Sequence, residues 1–103
     1  MKDRLDLQDK LVELLESDHV YFQPPENIRM KYPCFVYERS SGYTDNADDI
    51  RYHKRFRYEL MYITKEPDTN EFIKEILDSF MYCTYTRHFV SDNLNHEVFD
   101  LYY

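Results

Sequence analysis

Residues 52–64 alternate largely between apolar and charged side chains, the period of two expected of a β-strand with one buried face. This pattern predicts a long strand in a sheet whose apolar side must be covered by another layer. The residues expected on the buried face are Phe56, Tyr58, Leu60 and Tyr62, and those expected on the other face are Arg55, Arg57, Glu59 and Met61.

Three further segments have strand character. Residues 34–40 begin with Cys-Phe-Val-Tyr, which is β-branched and aromatic, and they are predicted to form a hairpin with 52–64 around a polar loop at 41–49. A turn at 91–95 is predicted to join the last two strands. These are 83–90, with Cys83, Tyr85, Arg87 and Phe89 on one face, and 96–103, with Phe99, Leu101 and Tyr103 in phase.

Two segments have the periodicity of a helix. Residues 3–17 place leucines at the i, i+4, i+7 and i+8 positions of one buried face. A second helix is predicted to start after Glu66-Pro67, where Asp68 and Glu71 have the spacing of a capping box. The first stripe contains Leu7, Leu11, Leu14 and Leu15, widened by Leu5 and Val12, and the second contains Phe72, Ile73, Ile76, Leu77 and Phe80.

The element order is therefore helix, strand, strand, helix, strand, strand. We expect an α+β fold, a two-layer sandwich in which two helices cover one face of an antiparallel sheet of about four strands. The 103 residues suit a single domain, 1–103, that buries about two thirds of its unfolded surface in one modest core. A solenoid and a two-domain enzyme are excluded.

Residues 17–33 are expected to be irregular. Pro24 and Pro25 favour extended backbone, and Pro33 disfavours a helical conformation at Tyr32. Residues 20–22 are apolar enough for a short strand or a tethered loop. An irregular stretch of this length in a compact domain is often functional.

The net charge of −7 gives the chain no general attraction to nucleic acid or anionic lipid. No apolar run approaches the roughly 20 residues of a membrane-spanning helix. The charged first ten residues lack the core of a signal peptide, so we expect synthesis in a cytoplasm. The single glycine, Gly42, argues against a phosphate-binding loop, and no cofactor is expected.

The cysteines and histidines form no recognisable metal or catalytic motif. Cys34 and Cys83 are expected to be reduced, buried thiols. Cys83 and His88 differ in parity along one strand, which predicts that they point to opposite faces. Cys34 could still pair with a histidine elsewhere in the chain, so a small Cys/His-dependent hydrolase is one alternative. We nevertheless expect no enzyme, and no catalytic, cofactor-binding or metal-binding residues.

Two charged segments flank the expected hairpin tip. Asp45, Asp48 and Asp49 do not match an EF-hand and suggest a solvated loop. The basic residues that follow alternate with aromatic ones, so a nucleic-acid-binding module is a second alternative. In an acidic domain we prefer an acidic patch on a neighbouring copy as their partner. They are Arg51, His53, Lys54, Arg55 and Arg57.

Tyrosine and phenylalanine make up 17% of the chain, with eleven tyrosines. Aromatic residues are enriched in interface cores, which suggests a surface partly covered by other subunits. The alternative is that these rings compensate for a small core without tryptophan.

Three segments resemble a known protein family: YFQPPEN at 21–27, MKYPC at 30–34 and DNLNHEVF at 92–99, together with EPD at 66–68. They resemble small proteins of long-tailed bacteriophages of Gram-positive hosts, described as tail terminator, tail completion or minor structural proteins. The resemblance covers about residues 11 to 103.

The resemblance implies a virion subunit that forms a ring of six copies, caps the head-proximal end of the tail tube and joins it to the neck. A head–tail connector of the same module is the alternative. Its partners would be itself, the tail tube protein and the neck protein, with DNA passing through without specific binding. A ring needs two unlike patches on each copy. The candidate interface residues are Tyr21, Phe22, Tyr32, Tyr43, Asp45, Asp48, Asp49, Arg51, Lys54, Arg55 and Arg57.

Overall fold

The computed structural model describes the backbone of residues 4–45 and 54–103 and the side chains of 4–40 and 56–103. These residues form two helices and five strands. The elements are α1 (Arg4–Leu15), β1 (Val20–Phe22), β2 (Cys34–Asp45), β3 (Lys54–Thr64), α2 (Asn70–Ser79), β4 (Tyr82–Ser91) and β5 (Leu94–Tyr102).

The predicted α+β class is confirmed, although the sheet has five strands rather than four. The strand order is β1-β2-β3-β5-β4. The fifth strand is β1, which lies in the segment expected to be irregular and pairs in parallel with Phe35–Tyr37 of β2. The other three pairings are antiparallel. The sheet therefore ends in a three-residue strand on one side and a ten-residue strand on the other.

The first hairpin is longer than expected because β2 continues through five residues of the predicted loop. Its register places Tyr43 opposite Phe56 and Asp45 opposite Lys54. The pairing slips between Arg39 and Tyr43, an interval that contains Gly42, and such irregularities are where glycine is tolerated in strands. The rest of the predicted loop, 46–49, lies outside the described residues.

Both helices pack on one side of the sheet, which we call the helix-covered face. Leu7 and Leu11 of α1 and Ile76 of α2 are fully buried against it. The predicted alternation of β3 is confirmed at Tyr58, Leu60 and Tyr62, which all point into this core. The prediction is wrong for Phe56, which is 39% exposed because it lies near the end of the sheet, beyond the part that the helices cover. The sheet residues of the core cluster are Val20, Phe35, Tyr37, Tyr58, Leu60, Tyr62, Phe99 and Leu101.

The leucine stripe of α1 is confirmed except at Leu5, which is 61% exposed. The helix ends at Leu15 because Glu16 adopts φ 58°. The amide of Glu16 donates to the Glu13 carbonyl and the amide of Ser17 donates to the Val12 carbonyl, the pattern of a Schellman motif. Glycine is the usual residue at this left-handed position.

Replacing Glu16 with glycine should therefore stabilise the protein by about 0.5–1 kcal/mol, because glycine has no Cβ to clash at positive φ. Urea denaturation of Glu16→Gly beside Glu16→Ala, which shares the loss of the carboxylate, would measure this. A glycine variant no more stable than the alanine variant would contradict the expected strain.

The predicted capping box of α2 is wrong. The helix starts at Asn70 with Thr69 at the N-cap, and no side chain caps it there. The Thr69 hydroxyl instead donates to the carboxylate of Glu97 on β5, at 3.0 Å. A tertiary hydrogen bond has replaced the local one.

A β-bulge changes the faces predicted for β4. Its register with β5 shifts between Tyr85 and Arg87, so Thr86 is the extra residue. Cys83 and Tyr85 lie on the helix-covered face. Arg87 and Phe89 were predicted to lie on that face too, but the extra residue places them on the other side of the sheet. His88 lies on the same face as Cys83, so the prediction that these two residues point to opposite faces is wrong. They are nevertheless five positions apart along the strand, which separates them by more than about 10 Å.

Candidate interaction surface

The second side of the sheet, which we call the open face, is covered by neither helix. On this face Cys34, Ile63 and Val98 are buried, yet none belongs to the core cluster under the helices. Around them Val36 and Met61 are half-buried. The open face is thus a partly apolar surface on the side away from both helices.

The irregular segment 23–33 lies over one end of the open face. The amide of Lys31 donates to the hydroxyl of Tyr21, whose register with Val36 places it on this face. Burial raises the pKa of the Tyr32 phenol, and so do the neighbouring Cys34, Asp92 and Tyr21. Tyr21 and Tyr32, two of the predicted interface residues, therefore meet on the open face.

An acidic row crosses the open face. Glu38 lies directly opposite Glu59, and Glu59 lies directly opposite Asp100. Like charges in this position destabilise a sheet. The guanidinium of Arg57 donates to Asp100 at 2.9 Å, and this ion pair raises the pKa of Arg57. Arg57, predicted as part of a basic interface, thus already has a carboxylate partner in its own sheet.

The other predicted interface residues are divided among three places. Phe22 packs on the core, 4.9 Å from the Tyr37 ring and beneath the Arg4 guanidinium, so its ring is not free for a partner. Tyr43 and Asp45 lie in β2, and Lys54 and Arg55 lie at the start of β3. Asp48, Asp49 and Arg51 lie outside the described residues. Contact of any of them with another copy stays a prediction.

The aromatic rings divide between the core and the surface. Tyr37, Tyr58 and Tyr62 fill the core, as expected if the rings compensate for its small size. Tyr82 and Tyr85 on β4, by contrast, are each about two-fifths exposed. Two of the four exposed rings among the described side chains thus lie on β4, and the other two are Tyr32 and Phe56. The predicted interface residues include none from β4.

The outer edge of β4 is open along the strand. Among the strands of the described residues, β4 pairs only with β5 and ends the sheet, and eight of its ten residues are exposed. Val90 is 60% exposed and Met81, just before the strand, 76%. An edge of this length presents unpaired N–H and C=O groups to any other strand. The period-2 pattern that predicted the strand carried no information about which strand would end the sheet.

A buried carboxylate lies between β5, β4 and the start of α2. Glu97, 4% exposed, accepts hydrogen bonds from the hydroxyls of Thr69 at 3.0 Å and Tyr85 at 2.7 Å. The nearest cation-forming group is His88, whose Nε2 lies 3.9 Å from the carboxylate and 3.0 Å from the Asn95 side-chain oxygen. The in-phase residues Phe99 and Leu101 were the sequence signal that Glu97 would face inward.

Tyr85 should make the protein less stable at alkaline pH. Burial, the hydrogen bond to Glu97 and its charge raise the pKa of Tyr85 from 10.0 to about 12. The folded state thus holds this proton more tightly, so its contribution is complete below pH 10 and is lost between pH 10 and 12. Denaturation midpoints across this range should fall less in Tyr85→Phe than in the wild type. Equal slopes would contradict the assignment.

The cysteines are poor nucleophiles in this fold. Burial raises the pKa of Cys34 to about 12, and burial and the charge of Asp100 raise that of Cys83 to about 11. Both are free thiols, and Cys34 is fully buried.

Within residues 4–45 and 54–103 no group of three or more His, Cys, Asp or Glu side chains is placed to hold a metal ion. None of the helices described is long and apolar enough to cross a membrane.

One groove of about 600 Å³ lies between α1 and α2, on the opposite side of the sheet from Cys34. Its acidic lining includes Asp6, Asp9, Glu13 and Glu75. Lys10 is the basic residue of the lining and lies 4.9 Å from the centre of the Phe80 ring. Among the described residues that line this groove, none is a cysteine or a histidine.

Neither a scan against protein-family models nor a search of curated proteins found a match to this chain.

Proposed function

We propose that this chain is a structural subunit of a phage tail, which assembles into a six-membered ring that caps the head-proximal end of the tail tube and joins it to the neck. The proposal begins from the resemblance of residues 21–27, 30–34, 66–68 and 92–99 to tail terminator proteins. It places the protein in the virion and assigns it no catalytic step.

The observation that best supports this proposal is the pair of unlike surfaces outside the core. One is the open face, with Tyr21 and Tyr32 at one end, and the other is the exposed edge of β4. A closed ring requires two different patches that meet on successive copies. The excess of acidic residues suits a channel that DNA crosses without binding, because carboxylates repel phosphates.

The test is to mix purified protein with tail tubes that lack their terminal structure and to examine them by electron microscopy. The expected result is extra density at one end of each tube, with none along the sides. Sedimentation of the protein alone would show whether the ring forms without the tube. Tubes that gain no density, together with a protein that stays monomeric at high micromolar concentration, would overturn the proposal.

A further inference from the structure

The outer edge of β4 has the properties of a strand that pairs with another chain. Natural sheets protect long edges with proline, inward-pointing charge, bulges or a covering loop. β4 contains no proline, and eight of its ten residues are exposed. Strands that add to such edges gain their affinity from main-chain hydrogen bonds. The partner that fits this edge is therefore set by which of its backbone groups point outward.

The hydrogen bonds of the sheet determine those groups. The amide of Phe56 donates to the carbonyl of Tyr103 at 3.2 Å, and the amide of Tyr103 donates back to the carbonyl of Phe56 at 3.0 Å. Because the bonding direction alternates along an antiparallel strand, every second residue of β5 before Tyr103 bonds to β3, and the residues between them bond to β4. The residues of β4 opposite the latter turn their N–H and C=O groups inward. Apart from the bulge residue Thr86, the remaining ones turn theirs outward, and they are Cys83, Tyr85, His88 and Val90.

The spacing of these four outward residues is self-complementary. They lie two, three and two positions apart, because the bulge adds one residue in the middle. The series is the same from either end, so two β4 strands related by a two-fold axis can pair antiparallel with every outward residue bonded. Cys83 then lies opposite Val90 of the second copy, and Tyr85 lies opposite His88. Val90, 60% exposed in the single copy, is thereby covered.

The same register overlaps the two strands over their full length. It places the two-fold axis between Thr86 and Arg87, which is the midpoint of Tyr82–Ser91. Every other two-fold register shortens the overlap and leaves some outward groups without a partner. A two-fold interface, in which one patch meets the same patch on a second copy, is also the commonest arrangement in protein dimers.

The charges of β4 are compatible with this register. Arg87 is the only permanently charged residue of the strand, and it lies opposite Thr86 of the second copy rather than opposite itself. Its guanidinium lies 5.2 Å from the centre of the Phe89 ring, on the side away from the axis, which keeps the two charges apart. His88 lies opposite the neutral Tyr85. The register thus sets no like charges directly opposite each other.

We infer that the free chain forms a two-fold dimer in which the β4 strands of two copies pair antiparallel, Cys83 opposite Val90, and join two five-stranded sheets into one. The inference goes beyond the proposed function. A β4 edge that is paired with its own copy cannot contact a different patch at the same time, so the dimer is the form of the subunit before it reaches the tail tube.

Proline at position 90 tests the pairing. The amide of Val90 points outward, so Val90→Pro removes a hydrogen bond to Cys83 of the second copy, twice in a two-fold dimer, and leaves the hairpin with β5 its own hydrogen bonds. Val90→Thr is the matched control, because it keeps the amide and the β-branched shape. Sedimentation equilibrium should show dimers for the wild type and Val90→Thr, and a dissociation constant at least about tenfold higher for Val90→Pro.

Circular dichroism and a cooperative thermal transition would establish that both variants fold. A wild-type protein that stays monomeric at high micromolar concentration overturns the inference, and so does a folded Val90→Pro protein that dimerises like the control. Neither result decides the proposed function, which depends on binding to the ends of tail tubes.

A disulfide identifies the register without depending on the proline variant. Val90→Cys places a thiol opposite the free thiol of Cys83 in the second copy, where the Cα atoms of a hydrogen-bonded pair lie about 5.5 Å apart, a separation common in disulfides. Within one chain the two positions lie more than about 20 Å apart, too far for a bond. Oxidised glutathione should convert Val90→Cys into a covalent dimer with links between positions 83 and 90, found by mass spectrometry, and Val90→Cys combined with Cys83→Ser should give none. Dimers linked through two positions 90, or dimers without a link between 83 and 90, overturn the inference.

Discussion

Replacing Leu11 with alanine should lower the free energy of unfolding by about 2–5 kcal/mol, which would leave a domain of this size barely folded. Leu11 has no exposed surface and lies in the core cluster between α1 and the sheet. Its truncation removes buried methyl groups and leaves a cavity that β-strands on one side and a helix on the other cannot close completely.

The control for this prediction is Leu5→Ala in the same helix. Leu5 is 61% exposed, so its truncation should change the free energy of unfolding by less than about 0.5 kcal/mol. Urea denaturation of the two variants at neutral pH would separate a cavity effect from a change in helix propensity, since both exchange leucine for alanine. Similar losses in the two variants would mean that Leu11 is not held in a rigid core.

Replacing Glu97 with alanine should cost about 3 kcal/mol. Hydrogen bonds to a charged acceptor contribute about 1.5–3 kcal/mol each, and the carboxylate of Glu97 accepts two, from Thr69 and Tyr85. Relief from the desolvation of a buried carboxylate opposes part of that loss. We expect the hydrogen bonds to dominate because the Thr69 hydroxyl is itself buried and would be left without its acceptor.

Two further variants separate these effects. Glu97→Gln keeps the shape and one acceptor oxygen, so it should cost less than Glu97→Ala. Tyr85→Phe combined with Glu97→Ala in a double-mutant cycle should give a coupling of about 1.5–3 kcal/mol for that hydrogen bond. A stabilised Glu97→Ala protein would show that desolvation outweighs both hydrogen bonds.

Helices and strands were predictable where apolar residues recur at a constant spacing along the whole element. The alternation of β3 identified its buried residues, and the leucine spacing of α1 identified Leu7 and Leu11. The bulge at Thr86 was not predictable, because one extra residue in ten barely alters an alternating pattern. Its position depends on β5, where the carbonyl of Val98 accepts the Thr86 hydroxyl at 2.8 Å.

The interaction surface was harder to predict because it depends on strand order. The sequence of residues 20–22 does not show that they pair in parallel with β2. The sequence of β4 does not show that this strand is the outermost one on its side of the sheet. Likewise, the spacing of Asp68 and Glu71 was that of a capping box, yet the burial of Glu97 gave the Thr69 hydroxyl a stronger partner. Charged segments alone suggested Arg57 as an interface residue, whereas Asp100 pairs with it.

The pairing of β3 with β5 constrains how the chain reaches its native state. Each hairpin, β2 with β3 and β4 with β5, brings together strands that follow one another along the chain, and such contacts close quickly. The seam between β3 and β5 instead joins residues far apart in sequence, with α2 and β4 between them. We therefore expect closure of this seam to set the folding rate, because only then do the two hairpins become one cooperative unit.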